Sequence, residues 1–159
     1  ISISTVNYAL NHLTRIGCIE KKIRGFVVLD PKKILIYWAT IHKPDLKYVA
    51  GVYKDINQIE AEMPPVIFTA YSGAKLYYNI FPAEYGEVYV YGDYREIMKR
   101  FPNEKNMKNV YCFTPYTFMS LFAKKPPLSL IYVDLWNLPT WYAREFLKEV
   151  EVKLDELLE

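Results

Sequence analysis

Val6, Ala9, Leu10, Leu13 and Ile16 recur at helical spacing near the start of the chain. No other segment narrows the architecture as much. An i, i+3, i+4, i+7 stripe marks one face of an α-helix packed on a core. The spacing predicts a helix that Ser4 caps and Gly17 ends, a hydroxyl for the first-turn N–H groups and a glycine for the left-handed stop. Downstream, Cys18 to Leu29 alternates loosely around Lys21, Lys22, Arg24 and Gly25, which reads as a hairpin with a basic tip whose Phe26 and Val28 return to the core.

The opposite helix face carries Ser4, Thr5, Asn7, Tyr8, Asn11 and Arg15. Asn pairs bidentately with adenine, Arg with guanine or a phosphate, and Ser with phosphate, so this face suits a DNA groove. Lys21, Lys22 and Arg24 would sit beside the phosphate backbone. Ser4, Thr5, Val6, Leu10, Leu13, Gly17, Ile19, Gly25 and Phe26 together resemble the recognition helix and wing of winged-helix transcription regulators. That family places two helices before the recognition helix, and this chain begins at Ile1 without an initiator methionine. The start therefore reads as a truncation and the DNA-binding head as incomplete. The competing reading is an ordinary amphipathic helix and hairpin of an α+β domain.

Charge divides the chain in the same sense. Residues 1–47 hold eight Lys or Arg against three Asp or Glu, and residues 48–159 hold 12 against 15. A basic head fits nucleic acid and a mildly acidic body fits protein. Fifteen tyrosines spread over the whole chain, which favours half-buried strands and interfaces over one stacking platform. No apolar run approaches the ~18 residues that span a bilayer, so the expectation is a cytoplasmic protein with no membrane contact. Cys18 and Cys112 stand apart and read as buried thiols rather than a zinc site or a disulfide framework.

Asp30-Pro31 marks a helix start, with Lys32 to Ala39 as a short connecting helix. His42-Lys43-Pro44-Asp45 breaks the pattern, which sets the expected domains as residues 1–43, a partial winged helix, and 44–159, an α/β effector or interaction domain. His42 is expected at the surface, and with His12 the only other histidine, no His-based metal site or catalytic relay is expected. Strands are expected at Tyr48 to Tyr53, Val66 to Ala70, Glu87 to Tyr91, Val110 to Phe113 and Leu128 to Val133. Helices are expected at Ile56 to Met63, Ala74 to Ile80, Tyr94 to Phe101, Tyr116 to Phe122 and Trp141 to Leu158, with Ser72-Gly73 as a turn. This alternation argues an α/β body and an α+β chain overall.

The layout admits a nucleotidyltransferase-like fold, in which a Gly-Ser turn opens a helix and a following strand carries two metal-binding carboxylates. Here Glu87-Val88-Tyr89-Val90-Tyr91 offers a single carboxylate, and Asp134, expected at a strand end, reads as a turn residue. The residues favour a catalytically silent relative of that fold over a working transferase, and the leading reading is a DNA-binding regulator with a non-catalytic α/β effector domain that needs no cofactor or metal. An enzyme using Ser72, Glu87 and Asp134 is one alternative, and an interaction module without DNA binding is another.

Asp30, Pro31, Trp38, Ala39, Ser72, Gly73, Ala74, Val88, Tyr89, Val90, Tyr132, Asp134, Leu135, Trp136 and Ala143 give the chain a more particular likeness. It resembles the AbiEi-type regulators, antitoxins of type IV toxin–antitoxin systems, over most of its length. The resemblance implies a winged-helix repressor that binds double-stranded DNA at its own promoter. It also implies a C-terminal domain that counteracts a cognate nucleotidyltransferase toxin, with a homo-oligomer as a compatible assembly. The chain departs from that family at Ser72, where Thr is common.

Overall fold

The computed structural model describes residues 2–122 and 125–158. Ile1, which the sequence sets before the first helix, lies outside the described residues. The chain forms two compact units, divided between Ile41 and His42, two residues ahead of the expected boundary. The class is α+β, with mixed helices and strands throughout.

The first unit runs α1 (Ile3–Arg15), β1 (Ile19–Lys21), β2 (Phe26–Val28) and α2 (Pro31–Ile41). The cap of α1 is Ser2 rather than Ser4. The Ser2 hydroxyl accepts the Thr5 N–H at 3.2 Å, which moves the helix start ahead of Ser4. At the other end, Gly17 takes φ 74° and Cys18 N–H bonds back to Leu13 O, closing the helix as its sequence indicates. β1 and β2 pair antiparallel, Ile19 opposite Val28, around a turn in which Gly25 holds φ 87°. Phe26 and Val28 do not return to a core: they are about half exposed, and Cys18 and Ile19 are the buried pair. The cause is placement, because α1 packs on β1 and leaves β2 on the outer side of the hairpin. Asp30 accepts the Lys33 N–H at 2.8 Å and Pro31 opens α2, whose first turn needs no donor at that position.

The second unit contains β3 (Leu46–Ala50), α3 (Ile56–Glu62), β4 (Ile67–Thr69), α4 (Ala70–Tyr78), β5 (Val88–Tyr91), α5 (Tyr94–Arg100), β6 (Val110–Phe113), a 3₁₀ turn at Thr117–Phe122, α6 (Leu128–Trp136) and α7 (Trp141–Leu158). Its sheet runs β3-β6-β5-β4, with β5 and β6 parallel and both outer pairs antiparallel. The α5 crossover explains the parallel pair, since parallel neighbours need a connection long enough to return.

Helices cover both faces of the sheet, and the strands show it. Val88, Val90, Val110 and Cys112 pack with Ile59, Ile97 and Phe101 of the α3/α5 side. Tyr89, Tyr91 and Phe113 point the other way, and all four residues of β5 are buried. So the expected alternation of a one-sided strand at Glu87 to Tyr91 gives way to a strand buried twice. Two further expectations are corrected on the second face. Leu128 to Val133 is not a strand but most of α6, a helix buried from Leu130 through Leu135. Ser72-Gly73 is not a turn but part of the first turn of α4, and the sharp bend sits at Ala70, φ 49°. Gly73 is needed there, since a Cβ would stand 2.9 Å from Phe68 O and 3.2 Å from Ile131.

Candidate functional site

Ser4, Thr5, Asn7, Tyr8, Asn11 and Arg15 are all exposed on α1. Ser4 and Thr5 turn their hydroxyls to Ser2 Oγ at 2.8 Å, forming a cap cluster at the helix start. Tyr8, 68% exposed, meets the His12 ring edge-on with centroids 4.9 Å apart. Together with Asn11 and Arg15, these rings line a shallow depression of about 160 Å³. His12 thereby joins the face four residues after Tyr8, a helical spacing that could have placed it there from the sequence.

The hairpin meets that face through one side chain. Lys21 Nζ donates to Asn11 Oδ1 at 2.6 Å, joining the first strand to the third turn of α1. Lys22 instead pairs with Glu20 at 2.5 Å, both about half exposed, and an exposed pair of this kind is worth ~0–1 kcal/mol. Such a lysine exchanges partners readily. Arg24 is exposed in the turn beside Gly25. The geometry thus gathers amide, phenol, imidazole, guanidinium and ammonium donors on one small element pair.

A second cluster lies inside the other unit, around Asp134. This carboxylate sits on α6, whose remaining residues are apolar apart from Ser129 and the Tyr132 hydroxyl. A lone carboxylate in such surroundings costs several kcal/mol unless donors compensate it. Three converge. His42 Nε2 lies 2.7 Å from Oδ1, Thr69 Oγ1 donates to Oδ2 at 2.5 Å, and Tyr91 OH bridges both oxygens at 2.9 and 3.0 Å. Tyr116 OH faces the other His42 nitrogen at 3.4 Å.

His42 is therefore buried, 8% exposed, rather than a surface residue, because its partner stands 92 positions away on α6. Burial first, and the Asp134 charge second, push the Tyr91 hydroxyl well above the usual phenol range, so it stays a donor. The same two causes raise Tyr116. Asp134 is neither a strand end nor a turn residue: it is an acceptor on α6 that β4, β5 and the His42 segment converge on. No single segment carried that signal, since the donors come from three separate stretches of chain.

Ser72, Glu87 and Asp134 do not assemble into one site. Glu87 precedes β5 and accepts the Tyr142 hydroxyl, whereas Asp134 is bonded by Tyr91 at the far end of the same strand. At ~3.3 Å per residue those ends stand roughly 13 Å apart. Ser72 Oγ is buried without a hydrogen bond. Among the described residues, no three His, Cys, Asp or Glu side chains come together as a metal cage.

A wider cleft, about 510 Å³, lies elsewhere and includes Lys75, Phe81 and Tyr85. Lys75 there bonds Glu60 at 3.0 Å and lies over both rings, so its charge is already matched within the chain. Comparison of the chain with protein-family models, curated proteins and solved structures gives no match.

Proposed function

We propose that the chain is a DNA-binding transcriptional regulator of winged-helix type whose second unit serves protein interaction rather than catalysis. The observation that carries this reading is the exposed α1 face bearing Asn7, Tyr8, Asn11 and Arg15, tied to the basic hairpin by the Lys21–Asn11 hydrogen bond. Asn11 and Arg15 supply base-edge chemistry, and Lys21, Lys22 and Arg24 supply phosphate contacts. The net positive charge of residues 1–47 supplies the long-range attraction to a duplex. In keeping with the AbiEi-type resemblance, the regulator acts in the cytoplasm on its own promoter, and the second unit engages a nucleotidyltransferase-type toxin.

The test is titration of the chain with a duplex spanning its own promoter, against a scrambled duplex, over a salt series. A site preference that disappears when Asn11 and Arg15 are both replaced by Ala supports the reading. Equal, salt-insensitive or absent binding to both duplexes overturns it.

A further inference from the structure

We propose that the second unit binds a small planar heterocycle bearing an N–H donor, cationic in its bound form, in a cavity floored by the Asp134 carboxylate. The cavity encloses about 190 Å³ and is walled by Pro44, Ala70, Tyr89, Phe113 and Leu138, with Asp134 and Asn137 as the polar residues of its lining. A cavity of ~150 Å³ already admits a benzene-sized ring, so the volume selects a single ring rather than a nucleotide. Shape and wall chemistry agree. The Tyr89 and Phe113 rings lie nearly parallel, 13° apart, and aromatic faces favour a flat cationic guest.

Asp134 sets the polarity of the guest. A carboxylate has about four lone-pair sites. His42, Thr69 and Tyr91 bring three donors, the Tyr91 hydroxyl spanning both oxygens with one hydrogen. One acceptor site is therefore left for a donor from the cavity. The residue is 6% exposed, so a donor that reaches it does so out of bulk water, where a charge-assisted hydrogen bond is strongest. Neither lysine nor arginine is among the described residues of the lining. The other polar side chain of the lining, Asn137, already donates its amide to Val133 O, so an anion is opposed by the carboxylate, and a purely apolar ring leaves the acceptor unused.

The neighbouring backbone is built for this opening. Ala70 holds φ 49°, a left-handed conformation that L-residues rarely adopt, at the bend where β4 passes directly into α4. That bend brings the Ala70 methyl to the cavity wall and, one residue earlier, the Thr69 hydroxyl to the carboxylate. The site lies wholly in the second unit and is independent of the DNA reading.

The experiment titrates the full chain with 2-aminopyridine by calorimetry and methyl NMR, using benzene and benzoate as controls. Saturable 1:1 binding of 2-aminopyridine is expected, with shifts at the Leu138 and Ala70 methyls. Benzene should bind at least about tenfold more weakly, the worth of one charge-assisted hydrogen bond, and benzoate should not compete. Asp134→Asn should weaken 2-aminopyridine by a similar factor. Because that change touches a buried network, Leu138→Trp serves as the second variant: it fills the cavity from a partly exposed position, keeps the carboxylate, and should abolish binding with the fold intact. Absent saturation, equal affinity for benzene, or binding that survives in folded Leu138→Trp overturns the proposal.

Discussion

Thr69 gives its hydroxyl to Asp134 instead of to the helix it precedes. It occupies the N-cap position of α4, where threonine ordinarily accepts a first-turn N–H, yet it makes no cap bond. Its Oγ1 donates to Asp134 Oδ2 at 2.5 Å. A buried carboxylate gains more from that donor than an N-terminal N–H gains from a neutral cap.

Removal of the donor should therefore cost more than loss of a cap. Thr69→Val, near in shape, should destabilise the chain by roughly 1–3 kcal/mol because Asp134 keeps its charge with one donor fewer. Thr69→Ser should retain most of that stability. Urea denaturation reads both, and an unchanged midpoint for Thr69→Val would mean the carboxylate does not depend on this bond.

Alkaline pH should unfold the chain through its tyrosines and Cys112. Burial raises Tyr71, Tyr85, Tyr89 and Tyr91 far above their ordinary value near 10, Tyr142 is pushed up to about 12, and the Cys112 thiol to about 11. These groups keep their protons in the folded state and release them on unfolding. Their stabilisation is thus complete below about 9, the thiol's unfolded value, and declines as pH rises through each unfolded value toward the folded one. Tyrosinate absorbance at 295 nm should appear in step with loss of circular dichroism. Independent titration of all fifteen tyrosines near 10 in a folded chain would contradict this.

Gly51 should tolerate no side chain. An added Cβ would lie 2.2 Å from Met107 O and 2.5 Å from Lys105 O, both backbone atoms. The segment cannot withdraw freely, since Gly51 O accepts Glu104 and Lys105 N–H and its own N–H donates to Asn103. Gly51→Ala should cost about 1–3 kcal/mol or more by overpacking, whereas Gly86→Ala, with its nearest neighbour 3.7 Å away, should be close to neutral. Thermal melts of the two variants give the comparison, and equal melting temperatures would refute it.

On the proposed DNA-binding reading, loss of a hairpin lysine and loss of a helix amide should differ in DNA titrations. Lys22→Ala should weaken all duplexes alike and flatten the slope of log affinity against log salt by about one unit. Asn11→Ala should cost about 1–3 kcal/mol on the preferred site, little on random duplex, and leave the slope nearly unchanged. An Asn11→Ala protein with full site preference would mean that this helix face is not the reader.

The sequence by itself determined what local chemistry can determine. The helix α1, the stop at Gly17 and the Asp30-Pro31 start of α2 stand where their residues indicate. Each depends on groups within about one turn, so periodicity and capping rules suffice. The expected packing of the α1 stripe on a core is a different matter: no residue of α1 is buried, and Val6 is 46% exposed. Tertiary structure decided the rest. Leu128 to Val133 became a helix because a short apolar run reads alike in a buried strand and a buried helix, and packing against α4 and α7 settles the choice. His42, a polar residue where the helical pattern breaks, went inside because an acceptor 92 residues distant awaited it. Phe26 and Val28 stayed about half exposed for the opposite reason, as α1 packs against β1 of the hairpin. Burial belongs to partners brought from elsewhere in the chain, and partners of that kind leave no period or spacing in the sequence.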